Sequence, residues 1–288
     1  MHIKTMTIKR ITFLIATAFT LQLSGCATTS TTQAGAVGVE RKQFLSLVSE
    51  KEAEQQSALA YQQTIKDAQS KKILNTDSQE TQRVRAIAQR LIAQVGVFRP
   101  DAQKWNWEVN VQDSKEVNAY CMAGGKIMVY TGLLDQIKPT DDELAEVMGH
   151  EISHALREHT REQMSRAKAQ QYGLLAGALA VGVATKNADN AGAALAVGGG
   201  LAAVALTLPN SRTAEHEADE MGLELAARAG YNPDAAITLW QKMGAQGGGK
   251  PPEFLSTHPA DANRIADLKS LIPKVRPLYE KAKVSRTN

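Results

Sequence analysis

The chain has 288 residues, 43% of them hydrophobic, with 33 Lys and Arg against 30 Asp and Glu and only two cysteines. That is enough apolar side chain for a sizeable core and too little thiol for a disulfide framework. The net charge of +3 gives no support to a nucleic-acid partner, because Lys4, Lys9 and Arg10 supply it from the leader and no basic face with interleaved aromatics follows.

Behind those cations lies an apolar run of 13 residues, Ile11 to Leu23, and then Leu23-Ser24-Gly25-Cys26. A run so short is a signal-peptide core, not a membrane span. The small residues before Cys26 have the form of a lipobox, so the sequence looks like that of a bacterial lipoprotein, with residues 1–25 removed and Cys26 acylated for attachment to a bilayer. Among enteric-type lipoproteins, Ala27 in place of Asp implies sorting to the outer membrane, with the mature chain on its periplasmic side. With Cys26 lipidated, Cys121 stands alone and reads as a buried small hydrophobe.

Residues 26–38, rich in Thr, Ser and Ala, are expected to form a flexible tether, and residues 39–75 a helical extension with a thin stripe of Phe44, Leu47, Val48 and Ile65. Asp77 or Ser78 then caps a clearer amphipathic helix carrying Val84, Ile87, Leu91, Ile92 and Val95. Trp105, Trp107, Val109 and Val111 alternate with polar residues, so Lys104 to Gln112 reads as a strand. Turns at Asp113-Ser114-Lys115 and Gly124-Gly125 separate it from Val117 to Met122 and from Lys126 to Tyr130, which gives a small antiparallel sheet of about three strands. A short helix from Gly132 to Ile137 ends at Pro139, and Asp141 or Asp142 caps a helix running to Met164. Residues 172–208 are almost wholly Ala, Gly, Leu and Val. Their second run, Ala191 to Leu208, has 18 uncharged residues and reaches the lower limit for a span. Small residues give little transfer energy, so the expectation is a helical hairpin, against the membrane or bordering a cleft. A helix to Ala229, a turn at Gly230-Tyr231-Asn232-Pro233, a helix from Asp234 to Met243, a mobile loop from Ala245 to Pro252, a last helix from Ala260 to Leu271 and a tail of residues 273–288 complete the chain. The fold class is α+β, predominantly helical, with its main domain over residues 76–272.

Chemistry enters at His150-Glu151-Ile152-Ser153-His154. Two His four apart on a helix share a face and converge on one point, with Glu151 beside it, which is half of a zinc site with a base attached. A third ligand at the next motif positions is absent, since Arg157 and Thr160 stand where Gly and His are needed. His159 misses the register by one residue and reads as an ordinary surface His. The alternative is a second helix, where Glu215 and Asp219 share a face: one carboxylate can bind metal while the other accepts the free N–H of a ligand His.

The H-E-x-x-H motif, followed by S-R-x-x-E-x-E-A-D-x-x-G from Ser211 to Gly222, resembles the HtpX, BepA and LoiP group of zinc endopeptidases, relatives of the CAAX prenyl and mitochondrial Oma proteases. Val117-Asn118-Ala119-Tyr120 with Gly124-Gly125, Tyr130-Thr131-Gly132-Leu133-Leu134, and Thr257-His258-Pro259 with Arg264 extend the likeness. Ala123 stands where relatives often have Pro. The resemblance implies a gluzincin-type domain that binds one Zn²⁺ through His150, His154 and Glu215, with Asp219 behind them and Glu151 as general base. It further implies that the strand holding Asn118, Ala119 and Tyr120 lies along the cleft and pairs with extended substrate, that Asn118 hydrogen-bonds substrate, that Arg264 belongs to the catalytic set, and that His258 is either an oxyanion donor or a removable fourth ligand.

From these parts the expected activity is zinc-dependent hydrolysis of peptide bonds in unfolded or misassembled envelope proteins, with outer-membrane assembly machinery a further candidate partner. Two other readings stay open. One is an assembly chaperone whose proteolysis is minor or gated, and the other is a structural zinc closed by His258.

Overall fold

The computed structural model of the chain describes residues 28–185, 210–246, 253–258 and 263–287. The leader with Cys26, the Ala191 to Leu208 run, Gly247 to Pro252 and Pro259 lie outside the described residues.

Two short strands, β1 (Thr28–Thr29) and β2 (Gln43–Phe44), pair antiparallel near the N-terminus. Helix α1 (Glu50–Ser70) begins at Ser49, whose hydroxyl accepts from Glu52 N, and α2 (Ser78–Ile92) at Asp77, whose carboxylate accepts from the amides of Gln79 and Glu80. These caps satisfy backbone donors that the first helical turn leaves open. The core sheet holds β3 (Glu108–Gln112), β4 (Ala119–Met122) and β5 (Lys126–Tyr130). After a helical turn at Leu133–Ile137, the described residues hold six further α-helices: α3 (Asp141–Leu156), α4 (His159–Thr185), α5 (Arg212–Arg228), α6 (Ala235–Ala245), the single turn α7 (Glu253–Thr257) and α8 (Arg264–Thr287). Among the described residues no helix is long and apolar enough to cross a membrane.

The sheet corrects the expectation of a wholly antiparallel one. Its order is β3-β5-β4, with β4 antiparallel to the central β5 but β3 parallel to it. The link after β3 carries the chain past the central place, and the turn at Gly124 and Gly125, with φ of +76° and +81°, folds β5 back into it. The strand itself is shorter than expected, because Pro100–Lys104 winds into a 3₁₀ turn. Among the described residues, the outer place leaves the far edge of β4, beside the metal helix, unpaired with any strand.

The segment expected to be a tether is instead bound to the domain. Val37 and Val39 are buried in the main core, Gln33 N donates to Phe98 O, and the amides of Ala36 and Val37 donate to Glu224 Oε2 at 2.7 and 2.9 Å. Glu224 is fully buried, and a buried carboxylate must collect donors. Composition cannot show this, since backbone amides make the bonds. Residues 39–75 hold one helix, preceded by an irregular stretch that buries Leu45 and Val48.

Thr140, not an Asp, caps α3: its hydroxyl accepts from Glu143 N while the Glu143 carboxylate accepts from Thr140 N, a reciprocal capping box. From Glu143 to Leu156 every residue of α3 is buried, between β4 on one side and α2, α5 and α6 on the others. The closest approach is to α5 at two glycines. A Cβ on Gly149 would stand 2.9 Å from Gly222 O, and one on Gly222 would stand 2.7 Å from His150 N. Backbones this close let the two chemistry-bearing helices meet.

Helix α3 ends earlier than its pattern suggests. Glu158 takes a left-handed φ of +51°, and its carboxylate accepts from Arg99 Nη1 at 2.6 Å and from Arg161 Nη1 at 2.5 Å. For a non-glycine residue that backbone costs roughly 1–2 kcal/mol, and one buried and one part-buried ion pair hold it in place. The chain therefore changes direction before α4.

Arg41 clasps the N-terminal segment to α4 through a two-pronged bond to Glu162 at 2.8 and 2.8 Å. Burial alone would raise the Glu162 carboxyl, but bonds from Arg41, Arg166 and Gln43 pull it from 4.5 down to about 2. A carboxyl depressed in the folded state adds stability that is fully present above its unfolded value and is lost as pH falls toward its folded one. The melting temperature is therefore expected to fall between pH 4.5 and about 2, and to fall less steeply in Arg41→Ala. Parallel curves for the two proteins would mean that the clasp contributes nothing to acid sensitivity.

Candidate metal centre

Helix α3 presents His150 and His154 one turn apart, and their Nε2 atoms approach to 3.0 Å. Helix α5 brings Glu215 against both: Oε2 lies 3.4 Å from His150 Nε2 and Oε1 lies 3.3 Å from His154 Nε2. His258, just past α7, points Nδ1 at the same place, 3.0 Å from Glu215 Oε1 and 3.2 Å from His150 Nε2. All four residues are buried, and their ligand atoms lie within 4.8 Å of one another.

The donor set fits a zinc ion. Ligands 2.0–2.1 Å from a tetrahedral metal stand about 3.3 Å apart, and the approaches of His150 to His154 and His258, and of Glu215 to all three imidazoles through one or other of its oxygens, run from 3.0 to 3.4 Å within a set that spans up to 4.8 Å. The other ring nitrogens are committed outward. His150 Nδ1 donates to Asp219 Oδ1 at 2.9 Å, and His154 Nδ1 lies 2.8 Å from His159 Nδ1. With those protons placed, two lone pairs and a carboxylate face one another, and a cation resolves their convergence. Burial opposes charge on Glu215, yet His150, His154 and His258 hold its carboxyl far below the usual range. It stands ready as an anion.

Glu151 is buried beside the cluster but outside the ligand set. Its Oε1 lies 3.4 Å from His258 Nε2, and burial pushes its carboxyl up against the pull of His258 and His150. Both groups open on a cleft of about 270 Å³ lined by Asn118, Ala119, Tyr120, Cys121, Thr64 and Tyr130, among others. The β4 register makes Tyr120 and Met122 the hydrogen-bonded partners of β5, since Tyr130 N bonds Asn118 O and bonding alternates along an antiparallel pair. The amides and carbonyls of Ala119 and Cys121 thus face the open edge. Asn118 Oδ1 accepts from Ala119 N at 2.9 Å, so its side chain shapes the start of this edge and covers one of its donors. Tyr120 turns its ring the other way, edge-on to Tyr130 against the α1 side of the sheet. Cys121 is buried, as its reading as a small hydrophobe requires.

Arg264, at the start of α8, reaches the cluster from behind. Its Nη2 donates to Glu215 Oε2 at 2.9 Å and to Asp219 Oδ1 at 2.8 Å, and its guanidinium lies 3.7 Å over the Trp240 ring. It holds both carboxylates in place from the side of the cluster away from Glu151.

His159 corrects the surface reading. It is 4% exposed and touches a candidate ligand, because the turn at Glu158 breaks the helix from which its direction was inferred. Glu217 and Arg157 were missed as well. Glu217 accepts from His159 Nε2 at 2.9 Å and from Arg157 Nη2 at 3.0 Å. Glu217 is the second Glu of the S-R-x-x-E-x-E-A-D motif, a signal that went unused, and Arg157 is marked only by the charge density of Arg157-Glu158-His159 next to the metal motif, which resembles a solvated helix end.

The sequence profile of Peptidase family M48 matches residues 78–272. Mitochondrial metalloendopeptidase OMA1 of Arabidopsis thaliana is 36% identical over 184 residues, 63% of this chain and 35% of that protein. The Saccharomyces cerevisiae protein of the same name is 35% identical over 191 residues, 64% of this chain and 52% of that one. The Beta-barrel assembly-enhancing protease of Escherichia coli K12 is 27% identical over 212 residues, 69% and 40% of the two chains. The chain thus spans about half of these relatives' length or less. With the ligand cluster inside the matched span, the chain belongs to peptidase family M48, a family of zinc-dependent metallopeptidases.

Proposed function

We propose that the chain is an envelope endopeptidase, held by lipidated Cys26 on the periplasmic side of the outer membrane, that cleaves unfolded or misassembled envelope proteins. The observation that carries the reading is the convergence of His150, His154 and Glu215 beside Glu151, at the side of an open strand edge. His150, His154 and Glu215 would hold the metal, and a bound zinc supplies Lewis acidity and lowers the pKa of a water to about 7. Glu151 would accept a proton from the attacking water at its carboxylate and pass it to the leaving amine. The edge at Ala119 and Cys121 aligns an extended peptide by backbone bonds, which favours unfolded chains over any one sequence. The Escherichia coli relative is named as a protease that enhances β-barrel assembly, which supports a place in the envelope, and the lipobox form supports the anchor.

The test is to incubate the purified chain with zinc and an unfolded β-barrel protein beside the Glu151→Gln variant. Zinc-dependent fragments absent from the variant are expected. Retention of the intact substrate by both proteins would favour the chaperone reading. Loss of membrane attachment in Cys26→Ser checks the anchor.

His258 supports a gated site. Its Nδ1 stands where a fourth ligand would, and its ring stacks on Phe254 with centroids 4.5 Å apart. Helix α7, which ends immediately before it, is clipped in place by Phe254 N donating to Val117 O and Asn210 N donating to Thr257 O. If His258 closes the resting site, His258→Ala raises the initial rate of cleavage. A fall of about a hundredfold is what loss of an oxyanion donor produces, and would assign it that role instead.

A further inference from the structure

The two candidate ligand imidazoles are held in different ways. His150 passes its Nδ1 proton directly to a carboxylate, Asp219, at 2.9 Å. His154 passes its own to another imidazole: His159 Nδ1 lies 2.8 Å away, and His159 Nε2 lies 2.9 Å from Glu217 Oε2. Only one proton arrangement satisfies this chain when His154 Nε2 faces the metal. His154 Nδ1–H donates to His159, and His159 Nε2–H donates to Glu217. Glu217 is anchored in turn. Arg157, fully buried, donates to it through Nε and Nη2 at 3.2 and 3.0 Å, and Arg41 from the N-terminal segment donates through Nε and Nη2 at 2.5 and 3.1 Å.

The placement has a geometric origin. Glu215, Glu217 and Asp219 alternate along α5. Residues four apart share a face, whereas the middle one points about 200° round the helix, away from the metal. Glu217 cannot reach His154 itself. The left-handed turn at Glu158 brings His159 back into the gap.

We propose that His159 and Glu217 form a positioning relay that fixes the tautomer and ring angle of His154, with Arg157 and Arg41 locking its far end. The proposal rests on the reading of His154 as a metal ligand. Arg41 lies outside the matched M48 span, so the relay joins the metal site to a segment that the family match does not include.

The experiment measures zinc affinity by competition with a chromophoric chelator, and the melting temperature of the zinc-free protein, in His159→Phe, His159→Asn and Glu217→Gln. Phe keeps the ring and removes the acceptor, while Asn offers an oxygen near the place of Nδ1. The relay predicts a zinc dissociation constant about 10–100-fold higher in His159→Phe, largely restored in His159→Asn, and raised in Glu217→Gln. A merely structural His159 would lower the zinc-free melting temperature of Phe and Asn variants alike and leave zinc affinity within twofold, which overturns the proposal. If His159→Phe does not fold, unchanged zinc affinity in Glu217→Gln overturns it equally. A native chain that takes up no zinc would defeat the reading of the site itself, a failure distinct from an unaffected variant of a zinc-binding chain.

Discussion

Glu151→Gln is expected to bind one zinc as tightly as the native chain and to lose peptide hydrolysis by a factor of about 10²–10⁴, the usual worth of a positioned general base. The side chain is buried, its Oε1 has no hydrogen-bond partner among the described residues, and it stands outside the ligand set. Gln has the same shape and can sit in the same place, so the ligands feel little. What it lacks is a site for a proton. The native carboxyl is suited to the step because burial raises it above the ordinary range while His258 and His150 keep it from rising further, and a base works best when its pKa approaches the working pH. Zinc content by metal analysis and fragment release from an unfolded protein check the two halves. Zinc-dependent cleavage persisting at more than about a tenth of the native rate would remove Glu151 from this role.

That much could be anticipated because spacing is geometry. Four residues apart on a helix means one face, so His150 with His154, and Glu215 with Asp219, announce their directions in the sequence. His159 could not be placed in the same way, since the direction of a residue after a break depends on the break. The left-handed turn at Glu158 is held by Arg99 and Arg161, and nothing local in Arg157-Glu158-His159 signals it. The sheet order failed for a related reason. The first strand was legible by its alternation and the other two by the turns that bound them, but which strands become neighbours is decided by the chain passing over the place later filled by β5. Residues 28–38 looked like a spacer because Thr, Ser and Ala carry little information. Their docking depends on backbone amides meeting Glu224 from α5. The ambiguity over His258 lay in placement, since nothing local in Thr257-His258 tells that its Nδ1 comes to 3.2 Å from His150 Nε2 and 3.0 Å from Glu215 Oε1.

Gly222→Ala is expected to damage the metal site and the fold together, although it adds a single methyl group seven residues from Glu215. The new Cβ would stand 2.7 Å from His150 N and 2.9 Å from both Gly149 C and His150 Cα. Those are backbone atoms of a helix buried on all sides, so no side chain can swing away and α5 must move off α3. Overpacking of this kind costs roughly 1–3 kcal/mol, which in a domain of this size lowers the melting temperature by about 2–4 °C per kcal/mol. Zinc affinity should fall as well, because the contact bears on the residue that carries one ligand, and separating the helices lengthens the 3.3 and 3.4 Å approaches of Glu215 to both imidazoles. Gly173→Ala is the control. That position meets nothing within 4 Å, and the substitution is expected to be neutral or stabilising by up to about 1 kcal/mol through helix propensity. Calorimetry and chelator competition on the two variants separate a general cost of added volume from a specific one at the crossing. Native zinc affinity and melting temperature in Gly222→Ala would show that contacts other than the Gly149–Gly222 approach set the distance between the two halves of the site.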